Sequence, residues 1–401
     1  MNGDINAFER GKADKRDTRD VNFLLLAIVI SGVTTFMFYP LMTLELLARG
    51  ESPTAAGLIL GLLSGTGRIL SGVMGRINAR FGSRSLAVGG LIIRSAGLLF
   101  FAVHMPTAAY WVGAILASIG SSATALALKT ELMRSSASRK TITLRSIAVN
   151  IGALIGPSIG GLLYVAYSFS TIVWIVVSSY VFLAVLLFSL VRFQAAEEAE
   201  TQRDEGRKAG VRWGIDKPFA WLLMCTFVYW AIYSQWNLVV PIYAEQGFGT
   251  PLGSTWVFTG NAVFILALQY VIIVKLFRDV ASGVVLGLGF ISFALAFLML
   301  FSVPTPASVV TFATAFSLAE LLISPTLDEI TARLKANGQG MTRAYGITAA
   351  VGGVASLVCA TAGGSLIDSW GSPGAVGFMI LPLVGAGIIG SIALKQKKDQ
   401  P

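Results

Sequence analysis

The chain of 401 residues is 55% hydrophobic and only 13% charged. Soluble domains carry about a quarter charged residues, so this composition excludes a soluble globular protein and requires a polytopic membrane protein. A formal charge of +9 would suggest nucleic acid in a soluble chain. Here the basic residues sit between apolar runs, where membrane topology rather than nucleic-acid recognition places them.

Cys225 and Cys359 lie inside apolar runs and His104 is the only histidine, which leaves no disulfide framework and no metal-ligand spacing. No cofactor is expected. The chain has no Walker A loop, so ATP does not drive it directly.

A spanning helix needs about 20 mostly apolar residues. Residues 1–20 mix both charge signs and lack an apolar core, so they read as a solvated cytoplasmic tail and not as a signal peptide. Six apolar segments follow at 21–48, 54–77, 84–104, 107–132, 141–166 and 169–192. The charged stretch 193–217 cannot cross a membrane and reads as a linker. Six more segments lie at 218–246, 251–277, 280–302, 305–335, 340–368 and 372–394, before a basic tail at 395–401. The expected domains are therefore an N-terminal six-helix bundle, 21–192, and a C-terminal one, 218–394. Arg10 to Arg19, Arg76 to Arg84, Arg134 to Lys140, the linker, Lys275, Arg278, Arg333 to Arg343 and the terminal lysines share one side, against little more than Arg49 on the other. Lys and Arg accumulate on the cytoplasmic side, so both termini and the linker are expected there, in a cytoplasmic (inner) membrane.

Taken in order, the polar residues inside these segments are few. Glu45 lies near the outer end of segment 1, after Pro40, and Glu245 near that of segment 7, after Pro241. Arg68 in segment 2 and Arg94 in segment 3 are cations at membrane depth, where a charge faces a cavity or a partner. Glu131 ends segment 4; Asp328 and Glu329 end segment 10, within reach of Lys129, Arg134 or Arg333 as salt-bridge partners. Asn150 precedes a run with Gly152, Gly156, Pro157, Gly160 and Gly161 in segment 5. Glycines four apart stack on one helix face and let a second helix come close, while Pro157 bends the helix. Segment 7 carries Tyr229, Trp230, Tyr233, Gln235, Trp236 and Asn237, a mix of rings and amides suited to an amphipathic organic substrate. Asn261 and Gln269 in segment 8 extend that set. Glu320 is the acid placed most centrally in an apolar run, and a carboxyl there must be paired or take up a proton. That makes it the first candidate proton carrier, ahead of Glu45, Glu131 and Glu245; the competing roles are permanent pairing with an arginine such as Arg68 or Arg94, and a place in a cationic substrate's binding site.

The segment-5 run fits G-x-x-x-G-P-x-x-G-G at every fixed position, and this resembles the helix-5 antiporter motif of drug:proton antiporters in the major facilitator superfamily. The loop between segments 2 and 3 resembles the superfamily's G-x-L-a-D-R-x-G-R-[RK] pattern through Gly75, Arg80, Gly82 and Arg84, and Gly82 suits a tight turn that requires positive φ. Ala79 replaces its acid, so any charge latch built on that acid is weakened or displaced. No arginine lies between Ala108 and Leu128, so the relay role proposed for a helix-4 arginine cannot be carried over. The resemblance covers about residues 20–394. It implies an all-α polytopic membrane protein with twelve transmembrane helices in two pseudo-symmetric six-helix bundles. It also implies a monomer in the lipid bilayer, rocking in alternating access, with protons entering as a small hydrophobic or amphipathic molecule is exported. A dedicated exporter of one natural product, such as a siderophore whose carboxylates meet Arg68 and Arg94, stays open, as does a receptor or scaffold that transports nothing.

Overall fold

The computed structural model describes residues 2–135, 139–190, 215–334 and 338–396. Most of the 193–217 linker, the end of the 395–401 tail and the side chain of Arg134 lie outside the described residues. The described chain is helical from end to end: α1 (Asn2–Ala48), α2 (Pro53–Ile69), α3 (Ser71–Leu99), α4 (Thr107–Ser135), α5 (Arg139–Ala166), α6 (Phe169–Leu190), α7 (Lys217–Phe248), α8 (Leu252–Gln269), α9 (Ser282–Met299), α10 (Pro306–Leu334), α11 (Gly338–Trp370) and α12 (Ala375–Gln396). Helix α1 begins at Asn2, so residues 2–20 continue the helix of the first segment.

Nine of these helices are long and apolar enough to cross a membrane, and α2 with α3 forms a tenth, bent pair meeting at 52°. The sequence suggests one straight segment over 54–77, but the helix breaks at Leu70. Ser71 and Gly72 follow directly, and Gly/Ser pairs are among the few causes of sharp kinks. A second break falls at Gly82, whose φ of 79° and ψ of 159° leave helical space and suit only glycine. The positive-φ turn expected from the loop pattern is therefore present, and it divides α3 into the end of the second span and the whole of the third. Helix α7 falls outside the apolar group; its middle is crowded with rings and amides, yet it is the most deeply packed helix of its half, with Tyr229, Gln235, Trp236 and Tyr243 buried. Asp216 starts it by accepting from the Phe219 N–H at 3.2 Å. Helix α8 runs on as a π-helix, Tyr270–Leu276.

Helices α1–α6 pack among themselves, as do α7–α12, and the halves meet along α2 with α11 and α5 with α8, with α1 against α7 between them. Glycine decides where these helices touch. Added methyl groups at Gly152 and Gly156 would stand 2.6 Å from the Gly32 Cα and the Val33 carbonyl oxygen of α1, and one at Gly160 would overlap the Met37 carbonyl. Gly161 faces the other way, with its missing side chain filled by Thr255 of α8. A second strip, Gly57, Gly61 and Gly65 on α2, lies against Ala360, Leu357 and Gly353 of α11; a methyl at Gly61 would come within 2.9 Å of the Leu357 Cα. The segment-5 motif thus holds one half together, and the α2 strip joins the halves.

Further joints lie toward the side away from the linker. Thr43 Oγ1 donates to the Asn237 carbonyl at 2.5 Å, Ser254 Oγ to the Pro40 carbonyl at 2.8 Å, and the Ser158 and Thr259 hydroxyls are 3.1 Å apart. Asp368 of α11 accepts from the Thr54 N–H at 2.9 Å and from its hydroxyl, so an acid of one half caps a helix start of the other.

The two glycine strips make separable predictions. Gly156→Leu overpacks the α1–α5 contact inside one half and should lower stability by about 1–3 kcal/mol, read as a fall in Tm in detergent. Gly61→Leu should leave that Tm nearly unchanged but drive α2 from α11, read as increased labelling of a cysteine at Ser365 from the side away from the linker. An equal fall in Tm for both variants would show that the strips do not have separate jobs.

Candidate functional site

Between the halves, at the depth where α2 and α7 come together, lies a cavity of about 380 Å³. Tyr39 and Thr35 of α1, Ser64 and Arg68 of α2, Ser118, Ser121 and Ser122 of α4, and Ala153 of α5 form one wall. Trp230, Tyr233, Trp236 and Asn237 of α7, Phe258 and Asn261 of α8, and Ser356 of α11 form the other. The Thr43–Asn237, Ser254–Pro40 and Ser158–Thr259 bonds roof it on the side away from the linker.

Six of the ten cavity candidates from the sequence line this space: Arg68, Trp230, Tyr233, Trp236, Asn237 and Asn261. The guanidinium of Arg68 lies flat on the Trp230 ring, 3.4 Å from its centroid, and its Nε donates to the Ser64 carbonyl at 3.2 Å. Trp236 packs on Phe316 at 4.4 Å and on Phe258 at 5.1 Å between ring centroids. The other four candidates lie elsewhere. Tyr229 is core, packed on Trp230, Tyr233 and Phe293. Arg94 is 6% exposed inside the first half, its Nη2 donating to Thr35 Oγ1 at 2.8 Å and its Cζ 4.4 Å from the Tyr180 centroid. It stands one side chain behind the wall, because Thr35 comes between. Asn150 is half-buried off the cavity, and Gln269 is exposed at the end of α8.

Glu320 of α10 stands behind the second wall. Its carboxyl accepts from the Tyr233 hydroxyl at 3.1 Å and from the Asn261 amide at 3.1 Å, and Asn261 also donates to Ser317 at 2.9 Å. Both donors line the cavity. Among the described residues no lysine or arginine forms an ion pair with Glu320. The pairing with Arg68 or Arg94 weighed from the sequence is absent, because those arginines belong to the opposite wall.

The remaining acids occupy the ends. Glu45 pairs with Arg49 at 2.6 Å and accepts from Tyr164 at 3.3 Å, while Arg49 also donates to Tyr110 at 3.1 Å. This is a rim network, stitched by a shared arginine. Glu245 is half-buried near the matching end of α7, and Glu131 is buried on α4. Glu329 pairs with Arg333, as the sequence suggests, whereas Asp328 and Lys129 face each other across the halves within electrostatic reach. In the α3 turn, Gly75 and Arg80 are exposed, and Arg84 donates to the Phe188 carbonyl of α6 while lying 4.4 Å over the Phe188 ring.

Sequence reading passed over the serines of α4 and the glycines of α2. Both had a signal. Ser118, Ser121 and Ser122 cluster within five residues at the middle of α4, and Gly57, Gly61 and Gly65 repeat the four-residue spacing of segment 5.

The family model of the Major Facilitator Superfamily matches residues 24–327. "Multidrug resistance protein MdtH" of Proteus mirabilis is 26% identical over 254 residues, which is 62% of this chain and 62% of that protein. The protein of the same name from Aeromonas hydrophila is 25% identical over 290 residues, 68% of this chain and 71% of that one. The chain thus matches about three-fifths of the length of the first of these relatives. A crystal structure of a POT family transporter in complex with 5-aminolevulinic acid superposes with a TM-score of 0.75 at 15% identity, covering 95% of this chain and 97% of that one. The nucleoside transporter NupG, in a mutant form, gives 0.74 at 12% identity over 92% and 98%. At such identities these structures speak for the fold.

The roof predicts one-sided access. With Cys225 and Cys359 both buried, Ser121→Cys should react with a membrane-impermeant maleimide from the face that bears the linker and stay protected from the other. Equal labelling from both faces would contradict a closed roof.

Proposed function

We propose that this chain, which belongs to the Major Facilitator Superfamily, exports hydrophobic or amphipathic small molecules by proton antiport with alternating access. The helix-5 pattern and the MdtH relatives support export of drug-like molecules. The observation that carries the coupling is Glu320, bonded at 3.1 Å to both Tyr233 and Asn261. An acid at membrane depth without a cation must hold a proton or find charge elsewhere. Its two donors are cavity-wall residues, so a substrate that engages Tyr233 or Asn261 takes hydrogen bonds from the carboxyl. Losing them changes how readily that carboxyl gives up or takes on a proton, and so links substrate to proton at one site.

The roof bonds and the α2–α11 strip would act as the gate on the outer side, with Gly161 against Thr255 as its second seam. The lysine and arginine bias supports a cytoplasmic linker and termini, in a cytoplasmic membrane, with the protein as a monomer. In that orientation the cavity faces the cytoplasm, ready to load.

Glu320→Gln keeps the shape and one accepting oxygen but cannot titrate. In proteoliposomes it should lose movement of a fluorescent amphiphile driven by a pH gradient, by tenfold or more, while exchange of labelled for unlabelled substrate persists. Undiminished gradient-driven movement would remove Glu320 from the coupling and turn attention to Glu131 and Glu245. Orientation has its own check. A reporter fused within residues 193–217 should signal from the cytoplasm, and an external signal would overturn the six-plus-six topology.

A further inference from the structure

We infer that the cavity takes anions: compact aromatic or amphipathic molecules whose carboxylate, or a similarly flat oxyanion, docks on Arg68. The inference names the substrate class of the site described above and rests on its reading as a transport site.

A guanidinium carries five N–H donors in a planar fork. In Arg68, Nε is used by Ser64, and the ring of Trp230 covers one face. Among the described residues the two terminal nitrogens have no hydrogen-bond partner and no carboxylate forms an ion pair with Arg68. The guanidinium lies in the wall of the cavity, on the half that also contributes Ser121 and Ser122 to the lining. Behind the same wall Arg94 is held by Thr35, Ser31 and Tyr180, all neutral. One cation therefore lines this wall and a second stands behind it, while Glu320 is engaged by Tyr233 and Asn261 on the other side.

An uncompensated cation at membrane depth is costly. In a resting cavity water offsets part of that cost. A ligand that expels the water must replace it, and a neutral or cationic ligand replaces it poorly. A carboxylate does so best, because its two oxygens match the fork in a bidentate pair. The stacked Trp230 already fixes the guanidinium plane, so little side-chain freedom is lost on docking. Tyr39, Trp236 and Phe258 offer ring surface for the rest of the molecule, and about 380 Å³ suits a compact, one- or two-ring acid.

The test uses three probes with one ring system: 2-naphthoate, neutral 2-naphthamide and cationic 2-naphthylmethylammonium, measured by equilibrium dialysis on the purified full chain in detergent. Wild type should bind the carboxylate at least tenfold tighter than the amide, and the ammonium weakest. Arg68→Gln should collapse the carboxylate-to-amide ratio to about twofold, and Arg68→Lys should fall between, since a point charge lacks the fork. The wild-type ranking depends on no variant, so a poorly folded Arg68→Gln leaves the proposal testable. Equal affinities, preference for the ammonium, binding of none of the three, or a carboxylate preference that survives Arg68→Gln would each overturn it. Transport is read separately in proteoliposomes. Carboxylate preference in binding without gradient-driven movement of any probe would sink the exporter reading and keep this one. Gradient-driven movement of amide or ammonium without carboxylate preference would do the reverse.

Discussion

Backbone-to-backbone contact at glycine is the constraint on which the architecture depends. In a bilayer the lipid tails are as apolar as leucine, so helices are not driven together by burial of apolar surface and associate through close packing and hydrogen bonds instead. The chain supplies both at defined places. Gly152, Gly156 and Gly160 bring α5 onto α1, while Gly57, Gly61 and Gly65 bring α2 onto α11. The first strip makes a rigid body. The second makes a joint between the two halves, supported by few hydrogen bonds.

The cavity is a consequence of that joint. Helix α2 follows α11 as far as Arg68 and Ile69, which meet Gly353, and then bends at Leu70. The bend leaves the arginine lying on Trp230 at the floor of the α2–α11 contact, facing the space that α4 and α7 enclose. Polar chemistry is divided between the walls. Both cations and most of the serines belong to the first half, and the acid with its tyrosine and asparagine belongs to the second. In a medium of low dielectric such a division is not neutral background. A ligand between the walls feels a cation on one side, while Glu320 stands one side chain behind the other. A rocking motion that changes the distance between the walls changes both interactions together.

Composition and hydrophobic run length determine much about this protein before any folding is considered. They require a helical membrane protein of many spans, because bilayer thickness and the absence of water act on every residue in the same way. The glycine spacing of segment 5 and the positive-φ turn at Gly82 are legible for a similar reason, since each depends on local geometry alone. Glu320, Arg68 and the segment-7 aromatics stand out because polar groups in apolar runs are rare.

Tertiary structure decides which way those groups face. Arg68 and Arg94 look alike in sequence, a lone cation in an apolar run, yet one lines the cavity and the other is sealed behind Thr35. Glu45 and Glu320 look alike too, but Glu45 has Arg49 one turn away on its own helix, whereas Glu320 is bonded by residues 59 and 87 positions distant in the chain. Tyr229 and Tyr233 are neighbours on α7, and only the second reaches the cavity. Helix rotation and the choice of partner helix set these outcomes. Both are long-range properties, fixed when α2 meets α11 and α7 meets its neighbours, and no window of sequence contains them.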